Sequence, residues 1–280
     1  MIRPVGLHIV ATPIGNLRDI TLRAIDTLSQ VDFIACEDTR VTARLLSAHD
    51  IRTSTTAYHE HNAARVLPGM IKRLQNGETM ALVSDAGTPL ISDPGYRLVR
   101  AAQDADIPVT TEPGPSSPLA ALVLSGLPSD RFLFAGFLPN KQAARKRALA
   151  EFTTINVTLV FLESTRRLAA SLSDMEAVLG AREAAVAREL TKLHEELRRD
   201  DLAGLAAHYR DAGPPKGEAV VVVGPPDQNA ASVSSEELDE LLINALKTMS
   251  VRDAAAAVAA ASSRPRREIY ARALEISACE

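Results

Sequence analysis

Hydrophobic and polar positions along the chain fall into two alternating patterns. Apolar runs at residues 7–12, 33–36, 80–84 and 108–111 read as short strands buried on both faces. Between them, apolar residues recur every three or four positions, which is the spacing of a helix that buries one face. Helices are predicted over about 21–30, 42–48, a segment ending near Gln75-Asn76-Gly77, 96–105 and 118–125. Asp19 or Thr21 caps the first, and Ser92 or Asp93 caps the helix at 96, with Pro94 in its first turn. Regular alternation of strand and helix predicts a parallel sheet of the α/β class.

Gly126-Leu127-Pro128-Ser129-Asp130 punctuates that pattern, and a second alternation follows. Strands are predicted at 131–138, 158–162, 185–187 and 219–223, and helices at 166–179 and 202–209. A basic segment (Lys141, Arg145, Lys146, Arg147) and a charged turn (Arg188-Glu189-Leu190-Thr191-Lys192) lie among them. Residues 225–232 read as a linker. The remainder is helical, at 236–247, 251–261 and 265–276, with Ser250 and Ser263 as caps. Three short helices, with Arg264, Arg266 and Arg267 at one start, resemble a helix-turn-helix module, which can touch phosphates or serve only to pack. The expected domains are 1–126, 127–226 and a helical tail at 227–280.

The densest chemistry follows the third strand. Residues 80–95 read MALVSDAGTPLISDPG, a strand running into a loop rich in Asp, Gly and Pro before a helix starts. Loops at the C-terminal ends of parallel strands build ligand sites. Glycine lets a ligand approach the backbone, proline stiffens the loop, and Asp85 can accept hydrogen bonds or face a cation. No GxGxxG opens the first helix, so this is not the usual dinucleotide fold.

Composition narrows the classes. The 280 residues are 46% hydrophobic, enough for two cores, yet no run reaches membrane-span length. The N-terminus lacks an apolar leader core, so a cytoplasmic protein is expected. Two cysteines, Cys36 and Cys279, make no disulfide framework, and Cys36 reads as a small buried hydrophobe. A net charge of −4 does not announce a nucleic-acid binder, so any RNA contact needs a local basic surface.

Seven segments taken in order are far more specific than any one alone: VATPIGNLRDITLRA, ACEDTR, YHEHN, ALVSDAGTPLISDPGYRLVRAA, SGLPSDRFLFAGFLP, ARELTK and PPKGE. On these the chain resembles the small-subunit ribosomal RNA methyltransferases I of the tetrapyrrole methylase superfamily, over about residues 7–224. The resemblance implies two α/β domains of the tetrapyrrole methylase type with S-adenosylmethionine in the cleft between them, plus a small C-terminal helical module. It implies a homodimer acting on 16S rRNA of the small ribosomal subunit, by 2′-O-methylation of a cytidine ribose at the decoding centre. The implied cofactor site takes Pro13 from the first loop, Asp85, Ala86, Gly87, Ile91 and Ser92 from the central loop, and Ser116 after Pro115. Leu162, Glu189, Leu190 and Gly217 form its opposite wall. Two stretches depart from the family pattern: an extra proline in residues 112–118, and Thr165-Arg166 where Pro-His is usual. A tetrapyrrole methyltransferase of the same superfamily and a non-catalytic nucleotide- or RNA-binding adaptor are the competing readings.

Ribose methylation demands alignment of a hydroxyl with an activated methyl and a base for its proton. Strand-end residues offer Glu37, Asp38, Arg40, His59, Glu60 and Lys216. Asp38 or Glu37 can take the proton, and Arg40 can hold a phosphate beside the ribose. The same Glu37-Asp38-Thr39-Arg40 run can equally be a helix cap and salt bridge. His59 and His61 share one side of an extended segment, but with no third ligand they make no metal site. Arg131, Lys141, Arg145, Lys146, Arg147, Arg166 and Arg167 are the expected RNA contacts.

Overall fold

The computed structural model describes residues 5–226, 235–262 and 266–277. Two compact units account for it: Met1–Phe152 with Val157–Gly224, and Pro225–Glu280 with Thr153–Asn156. The first unit holds two five-stranded sheets.

Strands β1 (Leu7–Val10), β2 (Phe33–Cys36), β3 (Thr55–Ala57), β4 (Met80–Val83) and β5 (Val109–Glu112) make the first sheet. Its order is β3-β2-β4-β1-β5, and every pairing is parallel. All residues of β1, β2 and β4 are buried, as continuous apolar runs in a sheet covered on both faces require. Phe33, Met80 and Leu98 pack on one face, and Ile34, Leu28 and Val83 on the other. Each such side chain contributes about 1.5–3 kcal/mol on burial.

The crossovers are helices α1 (Leu22–Gln30), α2 (Thr39–Ala48), α3 (Ala63–Gln75) and α4 (Tyr96–Asp104), with α5 (Ser117–Ser125) after β5. Thr21 caps α1 by accepting from the Ala24 amide at 3.1 Å, and Asp38 caps α2. The N-cap of α4 is Gly95, with no side-chain cap, so neither Ser92 nor Asp93 serves the role their sequence position suggests.

The second sheet has the order β6-β7-β10-β8-β9. Its strands are β6 (Phe132–Phe137), β7 (Thr158–Ser164), β8 (Glu183–Arg188), β9 (Glu196–Asp201) and β10 (Glu218–Val223). Only β6 and β7 run parallel; the other pairs are antiparallel, so this sheet is mixed where alternation alone suggests a parallel one. The reason lies in β9. Its sequence, ELRRDD, carries no apolar period, and it closes a short return from β8 as an exposed edge. There Arg199 donates to the carbonyls of Leu124 and Ser125, at the C-terminal end of α5 where a cation is favoured. Helix α6 (Gln142–Ala150) follows β6, α7 (Leu168–Leu179) follows β7, and α8 (Leu202–Asp211) follows β9.

The second unit contains α9 (Ser235–Leu246), α10 (Val251–Ser262) and α11 (Arg266–Ser277). Leu238, Leu242, Ala255, Val258, Ile269 and Ala273 form its core. Ser250 caps α10: the Asp253 amide donates to its hydroxyl at 3.3 Å, and that hydroxyl donates to the Asp253 carboxylate at 2.7 Å. Arg272 pairs with Asp239 and Glu275. The expected cap Ser263, with Arg264 and Cys279, lies outside the described residues. Among the described residues no helix is long and apolar enough to cross a membrane.

Candidate active site

Three loops leave the C-terminal edge of the first sheet and are tied to one another. The loops after β1 and β4 pair through backbone bonds between Thr12 and Gly87, at 2.8 and 3.0 Å. The Thr88 hydroxyl donates to the Pro115 carbonyl at 3.0 Å, joining the loop after β4 to the loop after β5. That last loop is anchored beneath by buried Glu112, which pairs with Arg23 and accepts from Thr27, with His8 at 3.3 Å.

The facing wall comes from the second sheet. Because β10 is antiparallel to β7 and β8, its N-terminal end meets their C-terminal ends. The Glu189 amide donates to the Glu218 carbonyl, the Glu189 carboxylate accepts from the Glu218 amide, and Arg188 donates to the Lys216 carbonyl. Gly217 has φ +100° and lies so close to the Glu189 side chain that a Cβ would collide with it. A Cβ on Gly15 would likewise collide with Leu190, Thr191 and Lys192, and the Asn16 amide donates to the Thr191 hydroxyl at 3.1 Å.

Between these walls is a cavity of about 430 Å³. Ile14, Ile91, Phe137, Leu162, Leu190 and Val220 supply apolar surface, and Asp85, Asp93, Glu163, Glu189 and Glu218 supply carboxylates. No Lys, Arg or His is among the lining residues. Glu163, Glu189 and Glu218 are balanced by Arg167 and Lys192 from behind, which leaves Asp85 and Asp93 to make the first wall acidic and suited to a sulfonium-bearing nucleoside.

The sequence-derived cofactor residues converge here. Asp85, Ala86, Gly87, Ile91, Ser92, Ser116, Leu162, Glu189, Leu190 and Gly217 all line the cavity. Pro13 does not, and its neighbour Ile14 stands there instead. Sequence reasoning passed over Phe137, Glu163, Glu218 and Asp93. Of these only Asp93 carries a local cue, since Ser92-Asp93-Pro94-Gly95 looks like a cap.

The expected catalytic run sits apart from the cavity wall. The Asp38 carboxylate accepts from the Arg40 amide at 2.8 Å and pairs with its guanidinium, and these bonds hold it down at about 2. The Asp38 amide donates to Asp85 at 3.0 Å, so the run braces the central loop. Burial raises Glu37, Asp85 raises it further, and His59 opposes them. Asp93, on the cavity wall, is pushed up to about 6 by burial, then by Glu37 and Asp85, against a hydrogen bond with Ser84. Burial likewise raises the Cys36 thiol. The His59 and His61 rings meet edge-to-face at 6.1 Å, and among the described residues no group of three or more His, Cys, Asp or Glu is arranged to hold a metal.

The expected RNA contacts divide. Arg145 is a correction: it is 4% exposed, and its guanidinium pairs with Asp174 at 2.6 Å and donates to the Asn140 carbonyl. It staples α6 to α7 and has no surface to offer RNA. Arg167 is bound to Glu163 at 2.6 Å, beneath the cavity wall. Lys141, Lys146, Arg147 and Arg166 are exposed and follow the C-terminal ends of the parallel strands β6 and β7. Arg131 precedes β6, at the other end of that strand.

Comparison with known proteins places the chain. Residues 6–206 match the tetrapyrrole (corrin/porphyrin) methylases, and residues 232–277 match the RsmI C-terminal HTH domain. A Mesorhizobium japonicum protein named ribosomal RNA small subunit methyltransferase I is 53% identical over 97% of this chain and 92% of its own length. One of the same name from Synechocystis is 43% identical over 97% of this chain and 98% of its own. Among solved structures, diphthine synthase superposes with a TM-score of 0.60 at 13% identity, covering 78% of this chain and 89% of that one. Uroporphyrin-III C-methyltransferase of Thermus thermophilus, complexed with S-adenosylhomocysteine, gives 0.56 at 18%, covering 78% and 97%. At those identities they share the fold alone. With a tetrapyrrole methylase architecture, a sheet-edge cavity fit for a cation and near full-length relatives, the chain belongs to the ribosomal RNA small subunit methyltransferase I family of methyltransferases.

Proposed function

We propose that this enzyme uses S-adenosylmethionine to methylate the 2′-hydroxyl of a cytidine ribose in the decoding region of 16S rRNA, in the cytoplasm and as a homodimer. The observation that carries the cofactor is the cavity lined by carboxylates and apolar side chains with no basic residue among them. Asp85, Ala86, Gly87, Ile91, Ser92 and Ser116 would hold it from one side, and Leu162, Glu189, Leu190 and Gly217 from the other. When bound, the cofactor would supply a methyl group activated by a sulfonium, whose sulfur would leave as a neutral thioether with the carbon–sulfur electron pair.

The chain's own part is to align and to exclude water. Ordered loops on both walls pre-arrange the site, and orientation of this kind supplies roughly 7–11 kcal/mol of a barrier in good cases. The acceptor RNA would lie across Lys141, Lys146, Arg147 and Arg166, while Arg131 would meet it only if the RNA spans the length of β6. In domain terms, 1–126 and 127–226 carry the two walls and 227–280 the helical tail.

The test is a map of 2′-O-methyls on small-subunit RNA from cells with and without this gene. One decoding-region cytidine should lose its mark. If every ribose methyl persists, the acceptor assignment falls. Reversing Lys146 and Arg147 to Glu should weaken RNA binding and flatten its salt dependence, by about one unit of slope for each phosphate no longer neutralised. An unchanged slope removes that face from the interface.

A further inference from the structure

The five carboxylates of the cavity are not equivalent. Glu163 is 2% exposed and accepts from the Ser164 amide, Arg167 and Ser171. Glu189 and Glu218 share Lys192. Asp85 accepts the Asp38 amide. Asp85 and Asp93 are the two that pair with no cation among the described residues; Asp93 is half-buried on the wall, shares a hydrogen bond with the neutral Ser84 hydroxyl, and spends nothing on the helix behind it because Gly95 is the N-cap. Its loop is held in a demanding shape, since Leu90 and Ser92 both have left-handed backbone, at φ 73° and 64°.

Resting on the ribose-methylation reading above, we propose that Asp93 is the catalytic residue that takes the proton from the acceptor hydroxyl. The hydroxyl O–H bond breaks, its proton goes to the Asp93 carboxylate, and the oxygen's pair forms the new bond to the methyl carbon. Asp93 then returns the proton to water. Like charge surrounds it on its own side, from Glu37 after β2 and Asp85 after β4, with His59 and Arg40 beyond them. Across the cavity lie Glu163, Glu189 and Glu218 with their cations. Held near 6, the group is a carboxylate at neutral pH and a stronger base than an ordinary aspartate.

The experiment compares full-length wild type, Asp93→Asn and Asp93→Glu on small subunits lacking the methyl, with calorimetry of S-adenosylmethionine binding alongside. Asp93→Asn should lower kcat by about 10²–10⁴-fold while the cofactor still binds, and Asp93→Glu should recover part of it. Wild-type kcat should rise with pH and level off above about 6, and Asp93→Asn should lack that break. A second readout needs no turnover. A carboxyl whose folded pKa is raised favours the folded state below the unfolded value and loses that advantage as pH rises through the folded one. Cofactor-free Asp93→Asn should therefore melt above wild type at pH 8 and level with it below about pH 4. Wild-type turnover in Asp93→Asn, an unchanged pH break, or no gain in melting temperature at pH 8 overturns the assignment. Ribose methylation absent even from wild type overturns the functional reading and this one with it.

Discussion

The two walls of the cavity solve opposite problems with similar parts. Each is a loop at a sheet edge, and each holds non-glycine residues in left-handed backbone: Leu90 and Ser92 on one, Glu189 and Thr191 on the other. On the second wall the acids are matched. Lys192 lies 2.9 Å from Glu189 and 3.1 Å from Glu218, and its hydrogen bond holds Glu189 below the usual carboxylate range. On the first wall the nearest charges to Asp93 are other acids, and it is raised. A paired acid is a fixed wall, whereas an acid crowded by its like is ready to accept a proton.

Three changes probe that contrast, beginning with the most damaging. Gly217→Ala drives a Cβ into Glu189 at a backbone angle that alanine resists. It should cost about 1–3 kcal/mol of stability in denaturant melts and weaken cofactor binding at least tenfold. Normal binding would mean the second wall does not hold the cofactor. Lys192→Met strips the cation from Glu189 and Glu218, making the second wall resemble the first. Because Glu189 is lowered in the fold, its contribution is present above the ordinary carboxylate value and lost as pH falls. The variant should therefore lose about 1 kcal/mol at pH 7 and converge on wild type as acid protonates Glu189 in the fold. A loss that persists in acid would assign Lys192 a packing role instead. The smallest effect belongs to Ser92→Gly, which relieves left-handed strain on the first wall at the expense of a more flexible unfolded chain, so stability should change by less than about 1 kcal/mol. Turnover should fall through loss of loop order, and unchanged turnover would show that this strain serves no catalytic purpose.

Much of the first sheet is legible in the order of residues, because a strand buried on both faces must be continuously apolar and its crossover helices must show one apolar stripe. Residues 33–36 form β2 as predicted, and Thr21 and Ser250 cap the helices they precede. The second sheet is less legible. Strand β9 is polar throughout, and nothing local distinguishes ELRRDD from a loop until β8 offers it an edge. Basic residues mislead in the same way. In sequence Arg145 looks like its neighbours Lys146 and Arg147, and only the packing of α6 on α7 brings Asp174 up to bury it.

By itself, then, the chain of residues determined most of the strands and helices and the acidic glycine-rich loop after β4, and its family-like motifs marked fewer than half of the residues lining the cavity. Those depend on local periodicity, local turn chemistry and residue type. Which carboxylate is buried and crowded by other acids was decided only by tertiary structure. Asp93 sits fifty-six residues from Glu37 in sequence, and its character depends on β2 and β4 lying side by side with their ends together. Proton affinity is set by burial and by charges arriving through space, and no reading along the chain contains those distances.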